Sequence, residues 1–397
     1  MYLLRLAIKS LANRRFSAIL TVLAIALSVT LLLAVEKVRT EARASFTSTI
    51  AGTDLVVGAR SGSVQLLLYS VFRIGNATNN IRWDSYQHVT EHPQVAWAIP
   101  LSLGDSHRGF RVMGTTPGYF EHYRHGRDQA LVFASGAQFD DLYDAVLGAD
   151  VARELGYALT DEMVLAHGTG SVSFVDHTDK PFRVSGILRK TGTPVDRTIH
   201  ISLQGIEALH VDWQQGMPGR GAASVSAEQA REMDLTPKAI TAVLLGLTSR
   251  ISTFAVQREI NQFGGEPLQA VLPGVALQEL WSLLGMAEKA LFIVSLFVVL
   301  TGLVGMLTAI LSSLNERRRE MAILRSVGAR PRHVFSLLLL EAASLAFAGI
   351  MLGLGLMYLC LWLAQPLILS RYGLAGGRPV DPNLRTPRGT ACVILPL

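Results

Sequence analysis

The stretch Asn315–His333, NERRREMAILRSVGARPRH, lies between two long apolar runs, Ala290–Leu314 and Val334–Leu369. Arg317, Arg318, Arg319, Arg325, Arg330 and Arg332 stand there against only Glu316 and Glu320. A short basic loop between membrane spans belongs on the cytoplasmic side, because Lys and Arg in such loops set orientation. Met321, Leu324 and Val327 recur at helical spacing, and Gly328 followed by Pro331 supplies a stop. The pattern predicts a short amphipathic helix on the inner membrane face that offers a surface to a cytoplasmic partner.

Outward from this loop, the distribution of charge decides the class. The 397 residues are half hydrophobic and carry a net charge of +5, a balance that fits a membrane protein with a sizeable polar part. Residues 36–289 hold 22 basic and 27 acidic residues, so the positive excess sits in the short flanking segments. That is a positive-inside signature and implies no nucleic-acid groove. Residues 1–15 place Leu4, Ile8 and Leu11 opposite Arg5 and Lys9, as an interfacial cytoplasmic helix would. Residues 16–35 follow without a charge and are long enough to cross a bilayer core of about 30 Å. A cleaved signal peptide is the competing reading, but the apolar core is long for one and no clean small-x-small site surrounds Ala34.

Residues 36–289 form the extracytoplasmic part. Glu36–Ile50 is helix-prone and continues the first span outward, and Val275–Lys289 leads back into the second, so the two suggest a helical stalk. Between them, strand-like pieces (Asp54–Val57, Phe110–Met113, Arg183–Leu188, Thr198–Ile201) alternate with turns and with the helical Ala149–Leu155. This texture predicts an α+β domain, with a strand-rich lobe over 105–200 inserted into a mixed lobe formed by the flanks. Both cysteines, Cys360 and Cys392, lie outside the domain, so no disulfide framework is expected there. The second span covers 290–314, the cytoplasmic helix 315–333 and the third span region 334–369. Gly349 and Gly353 form a GxxxG pattern that permits close helix packing, within one chain or between two.

Several clusters invite a chemical reading. His122 and His125 could face one metal ion if helical, but the surrounding arginines and the lack of a third ligand favour a solvated surface. Asp176, His177 and Asp179 read the same way. In Thr191–Thr198, TGTPVDRT, Gly192 and Pro194 mark a tight turn whose Asp196 caps local amides. Glu341 is costly toward lipid and should sit near the interface or against protein. The sequence contains no Gly-Lys dipeptide and hence no phosphate-cradling loop of the GxxxxGK[ST] type. If ATP drives the protein, another subunit binds it.

The order of one span, a large insert, and ERRREMAILRSVGA between two later spans resembles the FtsX-like permeases of ABC transporters, of the MacB and lipoprotein-release type. Val112–Phe120, Leu147–Val151 and Gly186–Arg197 look like the periplasmic core domain of these permeases. The resemblance implies an α-helical transmembrane bundle, with three spans here and four expected in the family, bearing a large α+β extracytoplasmic domain on a helical stalk. It also implies a multi-pass protein of the bacterial inner membrane, surrounded by membrane lipids, with its large domain in the periplasm and periplasmic or outer-membrane components as further partners. The permease itself would be non-catalytic and without a cofactor, working as a homodimer or pseudo-dimer on a separate cytoplasmic ABC ATPase that binds the ATP. Glu316, Arg317, Glu320, Met321, Leu324, Arg325 and Gly328 would then form the ATPase-coupling surface. Residues 370–397 depart from the family, since the expected fourth span is missing, and are expected to be a truncated or out-of-frame tail. The alternative is a membrane-anchored extracytoplasmic sensor or scaffold without an ATPase partner.

Overall fold

The computed structural model describes residues 15–168, 175–176, 179–214, 217–218, 225–316, 322, 326 and 330–372. The interfacial helix expected over residues 1–15 and the tail beyond residue 372 therefore lie outside the described residues, Arg15 aside. Three helices dominate the chain: α1 (Arg15–Ser48), a long helix near the C-terminal side of the domain (Pro273–Glu316), and the helix that follows the basic segment (Pro331–Tyr372). Each contains a stretch long and apolar enough to cross a membrane, at Ala18–Lys37, Pro273–Gly305 and Pro331–Ala364.

Between the first two stands one large mixed sheet. Its strands are β1 (Leu55–Ala59), β2 (Val95–His107), β3 (Phe110–Thr115), β4 (Phe133–Gly136), β5 (Asp144–Leu147), β6 (Ala166–His167), β7 (Phe182–Leu188), β8 (Thr198–Ser202), β9 (Ala242–Leu247) and β10 (Leu268–Val271), with shorter strands at its margins. The main path runs β10-β1-β9-β2-β3-β8-β5-β7-β4, and β6 pairs with β2 off that path. Pairing is antiparallel except for the parallel β3–β8 and β5–β7 neighbours. The helices over the sheet are α2 (Ser63–Ser70), α3 (Trp83–Thr90), α4 (Gly118–His122), α5 (Ala149–Leu155), α6 (Leu203–His210), α7 (Ala227–Arg231) and α8 (Thr253–Asn261). The two long helices that follow are α9 and α10.

The four strand segments and the 149–155 helix read from the sequence all have counterparts at those positions. The lobes differ from expectation in how they join. β2 is 13 residues long, pairing with β9 from Val95 to Leu101 and with β3 from Ser102 to His107. One strand thus belongs to both halves, and the sheet is continuous. The inserted lobe also extends past residue 200, because Ala208, Leu209 and Ala230 join its core with Phe110, Leu147 and Phe182. The period-2 pattern ends at β8, but the sheet face it leaves must be covered, and α6 and α7 cover it.

Local chemistry explains the bends. Gly156 ends α5 in the left-handed region at φ 74°, where a residue without Cβ is unstrained. Gly148 precedes α5, and a Cβ there would lie 2.2 Å from the Val195 carbonyl oxygen. The Thr191–Thr198 turn therefore packs backbone to backbone against the entry to α5. Asp196, fully buried, organises the turn: its carboxylate accepts from Thr191 N (2.7 Å), Thr191 Oγ1 (2.9 Å) and Gly192 N (2.7 Å). Burial nonetheless pushes its pKa up to about 6.

His200 is fully buried on β8, between the rings of Tyr119 and Phe120. Its Nδ1–H donates to the Val146 carbonyl at 3.2 Å. Desolvation holds its pKa down to about 3. The native state therefore keeps the ring neutral, while the unfolded ring takes a proton below its ordinary value of about 6.5.

Asp196→Ala leaves the partly buried Thr191 and Gly192 amides without their acceptor and lowers stability by about 1–2 kcal/mol, seen as a drop in melting temperature of the detergent-solubilised chain. Because the His200 pKa is depressed, its contribution is complete above about pH 6.5 and is lost as pH falls toward 3, by up to about 1.4 kcal/mol per pH unit. The difference in melting temperature between wild type and His200→Phe should therefore shrink or reverse between pH 7.5 and pH 5, and a pH-independent difference contradicts the assignment.

Candidate functional site

The three long helices carry the apolar spans and two of them run into the domain, so their packing and their junction with the domain form the candidate site. Helix α1 packs along both α9 and α10, which touch each other only slightly. Its contact with α10 is made at the GxxxG pattern. A Cβ at Gly349 would lie 2.6 Å from Ile25 Cγ2, and one at Gly353 would lie 2.8 Å from the Ala26 carbonyl oxygen. Both glycines thus admit α1 at backbone distance within one chain. The Thr30 hydroxyl shares its proton between Ala26 O of its own helix at 2.7 Å and the Gly353 carbonyl at 3.0 Å, and the Ser28 hydroxyl between Ala24 O at 2.8 Å and Val298 O on α9 at 3.2 Å. Such bonds are worth about 0.6 kcal/mol each between membrane helices. Glu341 on α10 is only 4% exposed, so it is turned toward protein.

Toward the domain, α1 and α9 continue as a pair. Arg39 bonds Glu36 at 2.8 Å on its own helix and approaches Glu288 of α9 at 3.7 Å. These partly exposed pairs contribute little energy. The stronger contact is aromatic. The Phe46 ring meets Trp281 of α9 edge-on at 5.6 Å and Phe72 of the domain at 4.5 Å. Ile50, Ala276 and Leu277 are buried in the same core as Leu66, Leu67 and Tyr119. Further polar ties join the stalk to the domain: Ser63 Oγ donates to Glu279, Tyr123 O–H donates to the Thr49 carbonyl, and Ala51 N donates to Arg124 O at 3.1 Å. Phe46 and Trp281 escaped the sequence reading because each looks like one more apolar residue on a helix-prone stretch. Only the fold shows that they face each other.

The proposed coupling residues fall at the other end. Glu316 is the last residue of α9. Arg317, Glu320, Met321, Leu324, Arg325 and Gly328 lie outside the described residues. Of that segment, Ala322 and Ser326 are helical and exposed.

The other sequence clusters separate in space. His122 is stacked on Trp97 at 5.5 Å, while His125 is buried on a short strand, where desolvation lowers its pKa. Asp179 pairs with Lys180 at 3.2 Å, and His177 lies outside the described residues. The structure instead assembles Asp105, His167 and His210, whose donor atoms converge at the edge of the inserted lobe. These residues are 62 and 43 positions apart, and no spacing rule connects them.

Comparison with known proteins adds a family context. Residues 18–263 match the family described as MacB-like periplasmic core domain, and residues 292–381 match FtsX-like permease C-terminal. No curated protein matches the chain. Among solved structures, the chain is similar to the periplasmic region of MacB from Actinobacillus actinomycetemcomitans, with 9% identity, a TM-score of 0.35, and coverage of 58% of this chain and 94% of that one. It is also similar to the extracellular domain of the noncanonic ABC-type transporter YknZ from Gram-positive bacteria, with 11% identity, a TM-score of 0.32, and coverage of 55% and 99%.

The helix packing can be tested with an internal control. A Cβ at Gly355 would meet nothing within 4 Å. Gly353→Val must drive α10 away from Ala26 and should lower the melting temperature in detergent by several degrees, whereas Gly355→Ala should leave it unchanged or raise it, given the helix preference for Ala.

Proposed function

Because the chain belongs to the family of FtsX-like permeases carrying a MacB-like periplasmic core domain, we propose that it is the permease subunit of an ABC transporter, set in the inner membrane and driven by a separate cytoplasmic ATPase. The observation that carries this reading is the continuity of α1 and α9. Each holds an apolar span at one end and contributes to the domain's core at the other. Movement at the cytoplasmic ends of these helices is therefore delivered to the extracytoplasmic domain as movement of its core.

Two further features support mechanical coupling. The membrane helices offer little for a solute to follow, since Glu341, the acidic residue of α10, is buried against protein and conduction needs a polar track. The basic segment between α9 and α10 falls, by its charge, on the side where an ATPase would stand. We place the contact at Glu316, Arg317, Glu320, Met321, Leu324, Arg325 and Gly328. In this reading the permease performs no chemistry and binds no nucleotide, and it works as a dimer or pseudo-dimer over a pair of ATPases. The outcome is export, extraction or transmission of force to periplasmic partners.

Solubilising the membrane and isolating the chain should bring an ATP-binding protein with it. The Glu320→Lys/Arg325→Glu variant should lose that association by at least about tenfold, the usual scale for losing a central charged contact. Undiminished association in a folded variant overturns the assigned contact.

A further inference from the structure

Asp105, His167 and His210 are brought together by three separate elements. Asp105 and His167 are direct cross-strand partners on β2 and β6, and His210 is the last residue of α6. Asp105 falls where the β2–β3 register shifts, between Leu103 and Ser106, an irregularity that re-aims a strand side chain. The result is a near-equilateral triangle of donor atoms. Asp105 Oδ1 lies 3.1 Å from His167 Nδ1 and 3.5 Å from His210 Nε2, and the two ring nitrogens are 3.2 Å apart.

The hydrogen bonding of His210 makes the triangle informative. Its Nδ1 faces the Ile206 carbonyl at 2.9 Å and must donate to it. In a neutral ring the lone pair is then on Nε2, which points at a carboxylate oxygen and at a second imidazole nitrogen. A lone pair and a carboxylate at that distance repel unless a shared proton, such as one on His167 Nδ1, or a metal cation lies among the three atoms.

We propose that these three residues bind a divalent transition-metal cation of the zinc class. Ligands at about 2.0–2.1 Å in a tetrahedral site stand about 3.3–3.4 Å apart, and the observed edges of 3.1, 3.2 and 3.5 Å bracket that value. Two imidazoles and one carboxylate suit zinc, whereas calcium and magnesium take oxygen ligands. The Ile206 carbonyl acts as the outer partner that fixes which His210 nitrogen binds. Asp105 is 1% exposed, while the side chains of His167 and His210 are 41% and 24% exposed. The carboxylate is anchored in the sheet and the imidazoles form the rim, and a tetrahedral ion takes one further ligand beyond these three. The bound ion would clamp β6 and α6 to β2, the strand shared by both halves of the sheet.

The test uses the full chain, purified in detergent without a histidine tag and stripped with chelator. Equilibrium dialysis against Zn2+ should leave one tightly held equivalent per chain. His167→Ala and His210→Ala should each weaken binding by at least about tenfold, since even an outer-partner change costs 10–100-fold. His167 is the more exposed of the two, so its variant is the less disruptive to folding. Co2+ added to the wild-type chain should give the intense visible absorption of four-coordinate Co2+, a readout that needs no variant. If the triangle holds only a proton, the wild type retains no equivalent and the Co2+ spectrum is weak. Either result, or binding that persists in the His167→Ala/His210→Ala double variant, overturns the proposal.

Discussion

Helix α1 is gripped at its two ends by contacts of different physical kinds, and the arrangement of the other elements depends on both. Inside the bilayer no hydrophobic force draws one apolar helix to another, so association rests on close packing and a few hydrogen bonds. Gly349 and Gly353 provide the closeness, and Thr30 and Ser28 provide bonds to the helices on either side. Beyond the membrane the driving force reverses. There the helix is held because Phe46 and Ile50 are withdrawn from water together with Phe72, Trp281, Ala276 and Leu277. A helix held by packing in one medium and by burial in the other cannot slide without losing one of the two.

The domain is organised around a comparable economy. β2 pairs through its first half with the strands nearest the stalk and through its second half with the inserted lobe. Three hydrophobic clusters thus lie on a single unbroken sheet instead of in two domains joined by a linker. The core nearest the stalk contains Tyr119, Val146 and Val195, residues contributed by the inserted lobe, so the stalk helices enter a core that both halves of the sheet share.

How much of this was legible in the sequence follows from the range of each interaction. The spans were legible because twenty apolar residues in a row need no partner to declare themselves. The Thr191–Thr198 turn was legible because Asp196 bonds amides only four and five residues away. The extent of the inserted lobe is not legible because α6 and α7 look like ordinary short helices until the sheet face that needs them is known. The Asp105–His167–His210 triangle was invisible for the same reason: its members share no period and meet only through strand pairing. By contrast, His122 and His125, close enough in sequence to draw notice, end in separate environments.

The length of α9 has a geometric consequence. Its 44 residues make a rod of about 66 Å at 1.5 Å per residue, reaching from the basic segment to the floor of the domain. A tilt of about 5° about one end moves the other by about 6 Å, roughly one helical turn. In the mechanical coupling proposed above, such a lever would turn a small rotation on one side of a membrane into a displacement on the other large enough to exchange packing partners.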